Sequence, residues 1–133
     1  MQNSIREIID KALYFHRQNK TAEAEQLYSQ ALTIDENHPT ALHLLGVIRH
    51  QQDRNLESEK LILRALAIKP DDLLMMSNLG ATYSSLQKFE AAENLFSQVL
   101  SRTPANPQVL TTAEIAADQW GYHQMPLMIR NLH

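Results

Sequence analysis

A chain of 133 residues suits one domain with a modest core, and its three Gly and 6% aromatic content disfavour a turn-rich sandwich or barrel. The absence of Cys excludes disulfides, thiolate metal sites and Cys nucleophiles. Net charge is −3; residues 1–69 hold nine Lys/Arg and nine Asp/Glu and residues 70–133 hold three and six, so neither half is the basic surface that nucleic acid requires.

The opening stretch MQNSIREIIDKALYF carries acidic residues and no uninterrupted apolar run, so it is not read as a signal peptide. No segment reaches the length of a membrane span, and the expectation is a soluble cytoplasmic protein. Apolar residues recurring at three and four positions predict helices throughout. The first, over 4–18, carries Ile5, Ile8, Ile9, Ala12 and Phe15; after Gln18-Asn19-Lys20-Thr21 a second covers 21–34. Asp35-Glu36-Asn37-His38-Pro39 separates it from a third over 39–52 with Leu42, Leu45 and Gly46. A fourth over 55–68 carries Leu61, Ala65 and Leu66 and stops before Pro70, where a helix cannot continue. A fifth over 73–86 (Met76, Leu79, Gly80, Tyr83) and a sixth over 89–101 (Phe89, Ala92, Phe96, Leu100) follow. A seventh is expected over 107–120, and a shorter, poorly formed eighth from about 124.

These elements repeat with a period of 34 residues. Ala12, Gly46 and Gly80 keep it; so do Tyr28, Ile62 and Phe96; so do Ala31, Ala65 and Val99. Ile8, Leu42, Met76 and Leu110 carry it into a fourth unit, and Pro70 and Pro104 obey it too. Small residues let one helix approach another closely, and the large residues half a repeat later fill the space opposite. The prediction is an all-α fold of antiparallel helix pairs, one domain over 1–133 with repeats at about 5–38, 39–72 and 73–106 and a cap or partial repeat over 107–133.

The pattern Leu42, Leu45, Gly46, Ser58, Ile62, Ala65, Pro70, and its counterpart Met76, Leu79, Gly80, Tyr83, Ala92, Phe96, Pro104, resembles the tetratricopeptide repeat family; Ile8, Ala12, Phe15, Ala24, Tyr28 and Ala31 supply a first unit. Lys11 stands where that family usually has Leu, Arg49 where it has Tyr, Glu36 where it has Pro and Glu114 where it has Gly. The resemblance implies a right-handed α-solenoid whose first helices line a concave wall. It places Arg6, Ile9, Leu13, His16 and Arg17 of the first unit on that wall, with Thr40, His43, Val47, His50 and Gln51 of the second. From the third it adds Leu74, Ser77, Ala81, Ser84 and Ser85, and from the fourth Gln108, Thr111, Ile115, Asp118 and Gln119. The implied groove has an apolar thread and an amino-terminal end made positive by Arg6, Arg17 and Arg49, suited to an extended or helical peptide with acidic groups toward that end.

Two binding devices of the family do not carry over. The Lys and Asn that grip a terminal carboxylate in chaperone-binding members are replaced by Ile9 and Leu13, and of the Asn ladder in members attached to N-acetylglucosamine transferases only Asn78 is present. The wording Ala41-Leu42-His43-Leu44-Leu45-Gly46-Val47-Ile48 is similar to repeat segments of bacterial multidomain glycosyltransferases, which makes a detached targeting segment an alternative.

Other chemistry finds little support. His43 and His50 are seven residues apart, about 10 Å along a helix, too far to share one ion, although His16 and His50 occupy equivalent repeat positions. No Gly-rich phosphate loop or nucleophile turn occurs, and Glu23, Glu25, Glu57 and Glu59 are expected on an outer solvated face. No enzyme, cofactor or metal is therefore expected. Trp120, Tyr122, Met125, Leu127, Met128 and Ile129 form an apolar cluster, read as a cap on the last repeat or a patch for self-association. The leading expectation is a protein-interaction adaptor that binds a peptide or protein; a homo-oligomer built through the repeat ends is the structural alternative.

Overall fold

The computed structural model describes residues 4–102, which form six α-helices: α1 (Ile5–Arg17), α2 (Thr21–Ile34), α3 (Pro39–Gln51), α4 (Asn55–Ile68), α5 (Leu73–Ser85) and α6 (Phe89–Arg102). Each boundary falls within a residue of its expected place. The chain divides into two compact units, residues 1–70 and 71–133. The expected seventh and eighth helices, the fourth-unit wall residues and the Trp120–Ile129 cluster lie outside the described residues.

The period that governs the core also governs the helix ends. Ser4, His38 and Asp72, each 34 apart, are the N-caps of α1, α3 and α5. Ser4 Oγ accepts from Glu7 N at 3.2 Å, His38 Nδ1 from Ala41 N at 3.2 Å and Asp72 Oδ1 from Met75 N at 3.0 Å, each satisfying one amide that a helix start leaves unpaired. Pro39 follows His38 at the first position of α3, where its missing N–H costs nothing.

The same first helices end alike. Asn19, Asp53 and Gln87 adopt φ of 60, 61 and 62°. The following amides, of Lys20, Arg54 and Lys88, reach back to the carbonyls of Phe15, Arg49 and Tyr83 at 2.9, 2.7 and 2.8 Å. Those of Asn19, Asp53 and Gln87 bond His16, His50 and Ser84. This is the Schellman arrangement, made without the glycine that usually supplies the left-handed residue.

In the first unit α1 packs on α2, α2 on α3 and α3 on α4. Ile8, Ile9 and Ala12 of α1, Ala24, Tyr28 and Ala31 of α2, and Ala41, Leu45 and Ile48 of α3 form one buried cluster. In the second unit α5 packs on α6. The small-against-large columns are contacts: a Cβ on Gly46 would stand 2.7 Å from Ile62 Cγ1, and one on Gly80 would stand 2.8 Å from Phe96 Cζ. Full burial of Phe96 or Ile62 is worth roughly 1.5–3 kcal/mol each, so these columns are a main source of stability.

One departure from the repeat falls on a face whose burial differs between α1 and α3. Ala41, Leu45 and Ile48 of α3 are buried against the preceding pair, whereas their counterparts on α1, Glu7, Lys11 and Tyr14, are exposed. Lys11 replaces Leu on a helix whose equivalent face meets no preceding pair among the described residues.

Candidate functional site

The wall expected from the first helices is described here unit by unit. In the first unit Arg6, Arg17 and Gln51 are exposed, and Leu13, His16, Thr40, Val47 and His50 are half-buried. Leu13 and Val47 occupy the same repeat position and keep part of their apolar surface accessible. Ile9 and His43, by contrast, are 6% and 4% exposed and offer a ligand almost nothing. For Ile9 the reason is the width of the apolar stripe: Ile8, Ile9 and Ala12 enter the core together. In the second unit Leu74 is exposed and Asn78 and Ser85 are half-buried, while Ser77, Ala81 and Ser84 are 0, 6 and 1% exposed. Ser77 Oγ is buried with no hydrogen-bond partner.

The two half-buried histidines of the wall are each tied to the second helix of their own pair. His16 Nδ1 lies 3.3 Å from Tyr28 Oη, with the rings edge to face at 6.0 Å. Burial pushes the Tyr28 hydroxyl up to about 12, against the opposing pull of Arg17, so it stays protonated and available for that bond. His50 Nδ1 lies 2.7 Å from Asn55 Oδ1, and Asn55 Nδ2 donates in turn to Asp53 Oδ1 at 3.0 Å. Each imidazole is thereby oriented by its own helix pair.

Arg49 does not lend its charge to the wall. It forms an ion pair with Glu25 on α2, its Nε lies 3.1 Å from Glu57 Oε2 on α4, and its Nη1 donates to Gln52 Oε1 at 3.0 Å. Gln52 Nε2 also donates to Glu25 Oε2 at 3.3 Å, and Arg54 Nη2 pairs with Glu57 at 2.8 Å. The Glu25 carboxyl is held below its ordinary range chiefly by the hydrogen bond from Arg49, with burial opposing and Gln52 assisting. Glu25 and Glu57 are consequently members of an ion network and not simply solvated charges. Of the three arginines expected to make this end positive, Arg6 and Arg17 remain exposed.

A further periodic feature escaped the reading of the sequence. Lys20 Nζ stands over the Phe15 ring at 5.8 Å and Lys88 Nζ over the Tyr83 ring at 5.6 Å, so an aromatic and a cation close the turn in the first and third pairs. The signal was available, because Lys20, Arg54 and Lys88 are spaced by 34. Among the described residues no three His, Asp or Glu gather as a metal site would require, and no helix is long and apolar enough to cross a membrane.

The sequence profile of the tetratricopeptide repeat matches residues 38–105, and a second profile of the same repeat matches 9–38. The chain belongs to the tetratricopeptide repeat family. No curated protein matches it. Among solved structures, tetratricopeptide repeat domains share its fold. The first such domain of Spaghetti (RPAP3), bound to the HSP90 peptide SRMEEVD, is 20% identical with a TM-score of 0.75, over 86% of this chain and 90% of that one. A tetratricopeptide repeat protein from Parabacteroides merdae ATCC 43184 is 19% identical with a TM-score of 0.75, over 96% of this chain and half (50%) of its own. The Arabidopsis OM64 domain is 14% identical with a TM-score of 0.74, over 86% and 94%. The fold is thus the all-α helical-repeat solenoid of the tetratricopeptide family.

Proposed function

We propose that this tetratricopeptide repeat chain is an adaptor that holds a peptide or protein partner on the first helices of its pairs. The observation that carries the reading is the α1 and α3 surface. Leu13 and Val47 remain partly accessible at matching positions, Arg6 and Arg17 are exposed on the same helix as Leu13, and Arg49 is neutralised elsewhere. Apolar contacts provide affinity, and the two exposed guanidinium groups favour carboxylates near the amino-terminal end. The Spaghetti (RPAP3) domain with its bound HSP90 peptide supports the general mode. With Ile9 and Leu13 at the positions of the family's terminal-carboxylate grip, recognition rests on side chains and not on a free carboxyl terminus.

The test is an array of extended peptides that vary in acidic and apolar content, each synthesised with a free and an amidated carboxyl terminus. The wild-type chain should retain acidic peptides with an apolar residue equally in both forms. Leu13→Glu with Val47→Glu should lose them at unchanged helix content. Equal retention by that double variant would overturn the assignment of this surface.

A further inference from the structure

We propose that Arg49 is a positioning residue: it clips the turn end of the second helix pair to the first, and so sets how far apart α1 and α3 stand at that end. The functional meaning rests on the reading of α1 and α3 as the binding wall; the structural effect does not.

The repeat shows what Arg49 replaces. Positions 15, 49 and 83 hold Phe15, Arg49 and Tyr83. In the first and third pairs the aromatic lies beneath a lysine of its own turn. In the second pair the guanidinium instead reaches Glu25 on α2 and Glu57 on α4, while Arg54, the counterpart of those lysines, is drawn to Glu57. Two guanidinium groups and two carboxylates close the network, with Gln52 bridging Arg49 and Glu25. The Arg49 side chain is 14% exposed and that of Glu25 is 27%, so water and salt screen this contact less than an open surface pair.

The clip acts at one end only. At the other end of these helices the short α2–α3 loop joins the pairs covalently, and Arg64 Nη2 of α4 donates to the Glu36 carbonyl of that loop at 2.8 Å. Between the two ends lies the apolar cluster of α1, α2 and α3. Loss of the Arg49–Glu25 contact therefore leaves a hinge at the loop and a free edge at the turn. That edge carries His16 and Arg17 on α1 and His50 and Gln51 on α3. Arg6 and Thr40, near the loop, stay in place.

The chain has no Cys, so introduced cysteines take spin labels without interference. Two labelled full-length backgrounds are needed: Arg17→Cys with Gln51→Cys at the turn end, and Arg6→Cys with Thr40→Cys at the loop end. Pulsed dipolar spectroscopy then reads each distance in Arg49→Tyr, Glu25→Gln and the unaltered network, without any peptide. Arg49→Tyr gives the second pair the aromatic of the third, with Arg54 placed to lie over it, so it keeps a closed turn while cutting the link to α2; Glu25→Gln is the milder second variant. The expected result is a turn-end distribution shifted longer and broadened in both variants, with the loop-end distribution superimposable on the original. Unchanged turn-end distances in folded variants would overturn the proposal, and so would equal broadening at both ends. Because no peptide is present, that failure would leave the groove reading to stand or fall on its own array.

Discussion

Gly46 and Ile62 meet so closely that the hydrogen on the glycine Cα occupies the only space a side chain would need: a Cβ there would lie 2.7 Å from Ile62 Cγ1 and 3.3 Å from Leu61 Cβ. Alanine is the better helix former by about 1 kcal/mol, whereas overpacking costs about 1–3 kcal/mol. The close contacts fall on the Ile62 Cγ1 methylene, one bond beyond its branched Cβ, and on Leu61 Cβ, all near the α4 backbone, so packing should win. Gly46→Ala is expected to lose about 1 kcal/mol in urea unfolding. A more stable variant would show that α3 and α4 separate freely.

His38 caps α3 with an imidazole nitrogen, in a backbone conformation (φ −69°, ψ 113°) nearly that of the aspartate cap Asp72 (φ −74°, ψ 110°). His38→Asp should therefore seat a carboxylate on the same amide and add favourable charge at the helix start. A gain of about 0.5–1 kcal/mol is expected from thermal unfolding at neutral pH. No gain would mean that the imidazole serves some contact beyond the cap.

Gln87 holds a left-handed conformation at φ 62° with a side chain poorly suited to it. Asn19, at φ 60°, is a residue type that tolerates the same region. Gln87→Gly should raise stability by about 1 kcal/mol, and Asn19→Gly by less. The comparison of the two melting shifts is the check; equal shifts would remove strain as the cause.

Glu25 supplies a pH dependence of known sign. Its folded-state carboxyl is more acidic than its ordinary value of 4.5, so the unfolded chain binds that proton more readily. The stabilisation is present above pH 4.5 and is lost as pH falls through the folded-state value. Urea midpoints of the wild type should exceed those of Glu25→Gln at neutral pH, with the gap closing in acid. A gap independent of pH would mean that the carboxylate is not what Arg49 stabilises.

Helix boundaries and the core columns were legible in the sequence because both follow the chain's local period. Proline and the turn residues mark the ends, and Gly46 opposite Ile62 records a contact within a single repeat. The wall was legible only in part. Ile9 and His43 share a helix face with the accessible Leu13 and Val47, and which of them the core takes depends on how far each helix is rotated against its neighbours. Arg49 was misread for a related reason. Its partner Glu25 is 24 residues away, on a helix of the preceding pair, and no spacing rule within one repeat brings them together. The caps were not legible from residue type: Gln87 and His38 do what Gly and Asp more often do, although each stands 34 residues from a residue in the same role.

The exposed front of α1 bears on how such an array is lengthened. A helix pair added before it would have to dehydrate Glu7 and Lys11 and accommodate the Tyr14 ring, at positions where α3 presents Ala41, Leu45 and Ile48. Designing a longer solenoid from this end thus calls for three coordinated replacements, Glu7→Ala, Lys11→Leu and Tyr14→Ile, which turn a face wetted by solvent into one that accepts a neighbour.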